Sequence, residues 1–506
     1  MTPPLRKALN RLAHVSLGEL WTRLSQELTK RTDYAFYRMG LMAEPDLDAE
    51  PSRESQFFFP PDDLPGRVAL IKQHLPPAAE DAIREANEIL LHRFRLLGYR
   101  DLDYGTDIDW HLDAVHGKRA TLKPWYKIRF LDFDEVGDHK VTWELNRHQH
   151  LVILAKAWAF TGDERYAQEI ATQFYSWQKA NPYPIGINWG SSLEVAFRSL
   201  SWLWIRNLLK RAPGLPESFD HDLVRGLARN GSYIETFLST YFSPNTHLIG
   251  EAVSLFFIGT LCPEIPLAMR WQQKGLAIVL AEAERQVRPD GVYFEQSLYY
   301  HVYALDFFLH TRALAACNNL RVSEPFDDIL RRMLEVLRAL ARNGPLEGFG
   351  DDDGGRVFNP RRNRVEHMSD PLALGAALFE QPALRNSTAA TEEALWLFGQ
   401  AALMEPAQAS AQPTSVAFPD GGLYSMVSDR GGTFRLPLGI MLLLHTHPYG
   451  AQPVPSDPDK ATARKIAAPN CVVTASKVWC ATPDGKIVRG ELAAKQTASR
   501  QALLGK

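Results

Sequence analysis

Cysteine is scarce: Cys262, Cys317, Cys471 and Cys480 are the only four in 506 residues. None stands in a CxxC pair or at metal-ligand spacing, which argues against a zinc site and against a disulfide framework. Charge of one sign is lacking as well. The formal net charge is -3, so the chain gives no support for nucleic acid as its partner, although a neutral protein can still carry a locally basic cleft for an anionic glycan. Long apolar runs are missing; the most apolar stretches, around 252–260 and 436–444, are far shorter than a membrane span. The N-terminus, MTPPLRKALNRLAHVSLGELWTRLSQELTKR, has basic residues but neither an apolar h-region nor a small-residue cleavage site. The sequence therefore predicts no secretory signal, no membrane insertion and, by default, a cytoplasmic protein.

What is present is a globular composition, 45% hydrophobic and 23% charged, in a chain long enough for two or three domains. Residues 1–79 read as an amphipathic helical arm, with Leu17, Leu20, Trp21 and Leu24 on one face, followed by a linker with Pro-rich joints at Phe59-Pro60-Pro61 and Leu75-Pro76-Pro77. From 80 to 405 the signal is helical. Leu151, Leu154, Ala155 and Trp158 recur at i, i+3, i+4 and i+7 before Gly162 stops the helix. Asp163 can cap the next one, whose face is Tyr166, Ala167, Ile170, Ala171, Phe174 and Trp177. The period returns at 193–200, 248–256 and 302–313, and nothing here alternates like a sheet. Many helices joined by short loops suit a bundle, a solenoid or a closed ring of hairpins, and periodicity does not choose among them. After about 413 the texture changes. Residues 416–427 pair a turn signal with short β-like runs, and 471–476 make one more.

Polar and aromatic residues concentrate at four loop-to-helix junctions. They are Trp143-Glu-Leu-Asn-Arg-His148, Asn188-Trp-Gly-Ser-Ser-Leu-Glu194 with Arg198, Ser243-Pro-Asn-Thr-His247 with Glu251, and 290–301 (DGVYFEQSLYYH). Each has a plain structural reading. Ser243 and Pro244 make a good N-cap and N1 pair, which places Asn245 and His247 in a first turn. Glu194 and Arg198, four apart, suit a routine helix salt bridge. Trp189 suits either a sugar-stacking platform or a buried core position, and His148 and His150 suit either a place near the cleft or, as isolated helix histidines more often do, a structural role. The Asp351-Asp352-Asp353-Gly354-Gly355 turn lacks EF-hand spacing and reads as a solvated turn, with a structural divalent cation as the alternative. Together, four polar clusters at helix starts point to one end of a helical barrel.

The run WELNRHQHL, then GINWGSSLEVAFRSLSW, SPNTHLIGEAVSL, DGVYFEQSLYYHVY and GDDDGGR, in this order and spacing, resembles the heparinase II/III family of polysaccharide lyases over roughly residues 80–405. The resemblance implies a mainly α fold: an incomplete (α/α) toroid of helical hairpins over 80–405, as in alginate-lyase-like toroids. A C-terminal β-sandwich would follow, of which 406–506 is a short, truncated remnant. It implies β-elimination on a uronate-containing acidic polysaccharide, with no cofactor required, and in many members a periplasmic location. Such chemistry needs donors to hold the uronate carboxylate as charge develops, a base for the C5 proton and an acid for the departing O4. Asn245 matches the family's carboxylate-holding Asn, with His247 close enough to share that task. Tyr300 matches the Tyr that takes the C5 proton and returns one to O4. Tyr299 and Tyr303 are alternatives, but the family pattern sets the Tyr directly before a His. An ordinary phenol titrates near ~10, so the base needs a cationic or donor-rich setting, which His301 and nearby arginines are expected to supply. Trp189, Glu194, Arg198, Glu251, Glu295 and His301 complete the expected substrate-binding set.

The sequence also departs from the family. Phe418-Pro-Asp-Gly-Gly-Leu-Tyr424 matches the opening of the β-domain, but the His-x-His-x-Asp motif that should follow is missing; His445-Thr-His447-Pro is only an echo of it. The chain then ends about sixty residues later, too few for a full sandwich, which suggests a frame change near 431–438 or a truncation. Residues 431–506 are accordingly expected to pack loosely. Two alternatives stay open: a glycoside hydrolase using carboxylates such as Glu194, Glu251 and Glu295 on the same toroid, and an inactive glycan-binding protein.

Overall fold

The computed structural model describes residues 16–48, 53–342, 346, 350, 356–358, 367–385, 390–404, 416–427, 433–437, 471–473, 477–481 and 487–491. Its helices sort into two kinds by burial. Helices α6 (Gln149–Thr161), α8 (Ser192–Leu208), α10 (Thr246–Leu261) and α12 (Leu298–Cys317) are apolar on nearly every face and buried nearly all round. A helix of that kind must be enclosed by others. Helices α7 (Glu164–Ala180), α9 (Phe219–Thr236), α11 (Ala268–Gln286) and α13 (Glu324–Arg342) are amphipathic, as the 3.6-residue period predicts for an outer layer.

The contacts arrange these two kinds as a toroid. Helix α3 (Pro76–Ile89) packs on α6, α6 on α8, α8 on α10, α10 on α12, and α12 on α14 (Asp370–Leu378). Helix α7 lies against α6, α9 against α8 and α10, α11 against α10 and α12, and α13 against α12 and α14. Between α14 and α3 the inner circle closes through the short α15 (Glu392–Phe398) and α2 (Leu64–His74). Among the described residues no outer helix covers that closure, so the (α/α) toroid is incomplete.

Helix ends follow the sequence signals. Gly162 takes a left-handed φ of 73° to end α6, and the Asp163 side chain accepts from Arg165 N–H at 3.0 Å to begin α7. The prolines read as joints instead start helices: Pro61 opens a 3-10 turn and Pro76 the first turn of α3. A missing N–H costs nothing there. Phe57, Phe58 and Phe59, just ahead of Pro60, are core residues, packed on Trp204 and Trp396. Two small antiparallel hairpins, β1 (Arg93–Leu96) with β2 (Tyr99–Asp103) and β3 (Leu112–Asp113) with β4 (Lys118–Arg119), lie where no alternation was read. They are too short for a period of two to register, although Phe94 and Leu96 are buried and Arg93 and Arg95 are exposed. Short α4 (Phe133–Val136) and α5 (His139–Asn146) lead into α6.

Helix α1 (Leu17–Met39) is amphipathic as read, but its apolar face, with Leu17 at 86% and Trp21 at 75% exposure, looks outward. The other face docks, through Gln26 to Thr236 O and Tyr183 to Asp33. No described helix is long and apolar enough to cross a membrane. The C-terminal part contributes two three-stranded antiparallel sheets: β5 (Val416–Phe418), β6 (Leu423–Val427) and β7 (Thr433–Pro437), then β8 (Cys471–Val473), β9 (Lys477–Ala481) and β10 (Ile487–Glu491). Most of 431–506, with His445 and His447, lies outside the described residues.

Candidate active site

Helix α10 begins at Thr246, two residues later than a Ser243 cap would place it. Ser243 N–H bonds Ser239 O and Asn245 N–H bonds Ser243 O, so Pro244 lies in a tight turn ahead of the helix. Asn245 is the N-cap, its Oδ1 accepting from His247 N–H at 3.2 Å. With the amide oxygen turned to the helix, Nδ2 faces away from it and donates to Glu295 Oε1 at 3.2 Å.

Glu295 belongs to the loop that joins α11 to α12, and this loop is built from the inside. Val287 and Tyr293 form an isolated antiparallel bridge, and Arg288 N–H reaches Val292 O at 2.9 Å. Gln286, almost fully buried, accepts from the Tyr293 hydroxyl and donates to Pro244 O and Asn245 O at 3.3 and 3.4 Å. One side chain therefore ties the two loops together beneath Asn245 and Glu295. The loop ends at Ser297, the N-cap of α12, whose Oγ accepts from Tyr300 N–H at 3.3 Å. Asn245, His247, Glu295 and Tyr300 are all half-buried.

The remaining expected ligands are buried inside the protein. Trp189 is 2% exposed and its indole N–H donates to Asn181 O at 3.2 Å, so it offers no open face for stacking. Glu194 does not pair with Arg198. Arg147 takes both its oxygens, at 2.5 and 2.9 Å, and also lies 3.2 Å from Glu144. Arg198 is enclosed between the Trp177 and Trp189 rings, 4.3 and 5.3 Å from their centroids, and burial lowers its guanidinium to about 9. Glu251 is fully buried and accepts from Ser239 N–H and Oγ–H at 2.7 and 2.6 Å, and burial pushes its carboxyl up to about 8. These residues are core residues of the loops and helix starts.

His301 is buried too. Its Nδ1 accepts from Tyr293 N–H at 3.3 Å and its Nε2 lies 3.1 Å from Met333 O, which fixes a neutral ring with the proton on Nε2. Burial lowers its pKa to about 4, so it supplies no positive charge to Tyr300 near neutral pH. His148 and His150 are likewise buried. The Asp351–Asp353 turn lies outside the described residues. Among those described, no group of three or more His, Cys, Asp or Glu could hold a metal ion.

The sequence reading singled out neither Gln286, Asp290 and Gln296 nor Arg356. Asp290 and Gln296 stand inside the DGVYFEQ motif and Arg356 ends GDDDGGR, but Gly421, which the first two hold, and Glu393, which Arg356 holds, lie 37 to 131 residues away and leave no local trace.

A family model described as Heparinase II/III N-terminus matches residues 70–343, more than half of the chain and all of the junctions just described. The chain belongs to the heparinase II/III family. Relatives of this heparinase II/III chain include the heparin-sulfate lyase of Pedobacter heparinus, 29% identical over 278 residues, and that of Bacteroides thetaiotaomicron, 28% identical over 254 residues. The matches cover 53% and 46% of this chain but only 38% and 35% of those relatives. Among solved structures, a heparinase III aligns with a TM-score of 0.49 and 18% identity, over 79% of this chain and 57% of its own.

Proposed function

We propose that this heparinase II/III chain is a polysaccharide lyase that cleaves uronate-containing acidic glycans by β-elimination. Asn245 Nδ2, with His247 beside it, holds the uronate carboxylate at the N-terminus of α10, where the positive end of the helix dipole favours an anion. Tyr300 as phenolate takes the proton from C5. The C5 electron pair forms the C4–C5 double bond as C4–O4 breaks, and the phenol returns its proton to O4. The charge setting that His301 does not provide comes from the backbone. Tyr300 lies in the first turn of the 20-residue α12, whose positive end favours an anionic oxygen, and helical side chains lean toward that end.

The observation that carries this reading is that Asn245 Nδ2 already grips a carboxylate, Glu295, five residues ahead of a half-buried tyrosine at a helix start. The relatives, named as heparin-sulfate lyases, make heparan sulfate the first polymer to test, with other uronate polymers after it.

The test is an ultraviolet assay for unsaturated uronate ends. The parent should generate absorbance, and Tyr300→Phe should abolish it while glycan binding by calorimetry stays within about threefold, because the substitution removes the base and keeps the shape. New reducing ends without absorbance would show hydrolysis, and binding without any cleavage would show a glycan-binding protein. A Tyr300→Phe variant as active as the parent would place the base elsewhere.

A further inference from the structure

The β5–β6 hairpin rests against the loop of the candidate site. Its turn, 419–422, presents both backbone groups of Gly421 to that loop. Gly421 N–H donates to Asp290 Oδ2 at 2.8 Å, and Gly421 O accepts from Gln296 Nε2 at 2.8 Å. The fit is close. A Cβ on Gly421 would collide with the Val292 side chain, with Cγ1 and Cγ2 both at 2.6 Å, and that wall cannot swing away as a long side chain would. Gly421, Gly422 and Leu423 are buried by the contact.

The two gripping residues also shape the loop. Asp290 turns its other oxygen to Val292 N–H at 3.2 Å, closing the bend at Gly291. Gln296 holds a left-handed φ of 58°, a backbone state that non-glycine residues avoid. Its side chain reaches Gly421 from that conformation, and the bond offsets the strain. Gln296 lies between Glu295, the partner of Asn245, and Ser297, the cap of the helix that carries Tyr300. On the other side of Ser297, Gly350 packs so closely that a Cβ there would lie 2.7 Å from the Ser297 Cβ.

We infer that the β5–β6 turn is a working part of the site: Asp290 and Gln296 are positioning residues that grip Gly421 and thereby set the loop which holds Glu295 on Asn245 and starts the Tyr300 helix. The inference rests on the lyase reading for its effect on turnover but not for its effect on the loop. It assigns the C-terminal segment a role in the site that needs no side chain from it.

The experiment uses the full chain with Gln296→Glu, which keeps the size but replaces the donor with a carboxylate facing the Gly421 carbonyl. Gly421→Ala breaks the same contact from the other side, and Asp420→Ala is the control in the same turn, with an exposed side chain. Without any substrate, amide hydrogen exchange across 290–301 should speed up about tenfold or more in the first two variants and not in the control, with α6 and α8 unchanged. On a uronate polymer that the parent cleaves, kcat should fall about ten- to a hundredfold with KM within about threefold, since misplaced groups cost the chemical step more than binding. Unchanged exchange in both variants overturns the grip. Faster exchange with an unchanged kcat overturns the positioning role. Variants that exchange as described, beside a parent that cleaves no uronate polymer, sink the lyase reading and leave the grip standing as the loop's anchor.

Discussion

In Asn245 the amide oxygen closes the N-terminus of α10 while the amide nitrogen holds a carboxylate, and the two tasks separate by substitution. Aspartate caps a helix about as well as asparagine but cannot donate. Asn245→Asp should therefore leave the denaturation midpoint almost unchanged while setting two carboxylates face to face with Glu295. Turnover should fall by about 10²- to 10³-fold, the usual cost of one lost donor to a developing anion. A variant that unfolds early but cleaves normally would reverse the assignment, making Asn245 a cap and nothing more. Glu251 allows a test by pH alone. Burial holds its carboxyl near 8, above the ordinary 4.5, against the pull of the two Ser239 donors. A folded value above the unfolded one gives a stabilising contribution that is whole below pH 4.5 and is lost as pH rises through about 8. Glu251→Gln lacks that loss, so the parent's unfolding free energy should decline relative to the variant's across this window in urea titrations. Parallel curves for the two proteins would mean that Glu251 is ionised in the fold throughout.

Helices α10 and α11 meet backbone to backbone. A Cβ on Gly275 would lie 2.5 Å from Ala252 O and Phe256 N, and one on Gly259 would lie 2.5 Å from Ala268 O. Alanine at 275 gains about 1 kcal/mol in helix propensity, but forcing the two helices apart costs about 1–3 kcal/mol or more, so the clash wins. Gly275→Ala should lower stability in denaturant unfolding. Gly66→Ala, where the neighbour is the movable end of Asp63, should be neutral or stabilising. Similar effects at both sites would show that propensity, not approach, decides. The same helices show what a sequence gives away. The period of 193–200 or 166–177 reports a buried face because neighbours along one helix make it, and the helix starts that carry Asn245 and Tyr300 were visible as polar clusters. Which polar side chains face inward was not. Glu194 sits four residues from Arg198 yet pairs with Arg147, 47 positions earlier, and Trp189 is closed off by Tyr183 and Tyr233. Local spacing carries no information about such partners. The Ser243-Pro244 signal was real but marked a turn, because Asn245 made the better cap.

Across the whole ring, one short segment ties opposite sides together. Arg356 O accepts from Gln149 Nε2 of α6 at 2.8 Å, and its guanidinium binds Asp306 of α12 and, at 3.2 Å, Glu393 of α15. Two residues on, Phe358 packs on Trp204 of α8 and under the Lys156 ammonium of α6. Residues 356–358 therefore run through the interior of the toroid and touch four of its helices. The charges are fully buried, with Arg356 between the two acids and His310 lying 3.1 Å from Glu393. Desolvation raises the Asp306 carboxyl well above its ordinary range even with Arg356 beside it. Such a group is costly once its partner is gone. Arg356→Met should lower unfolding free energy by about 3–5 kcal/mol, the cost of stranding buried carboxylates rather than the net worth of the pair. Pairing it with Asp306→Leu tests that distinction, because the carboxylate left without a cation then disappears, Glu393 keeping His310 at 3.1 Å, and most of the loss should be recovered. If the double variant is as unstable as the single, the knot stabilises by its geometry, joining α6, α12 and α15, and charge neutralisation is secondary.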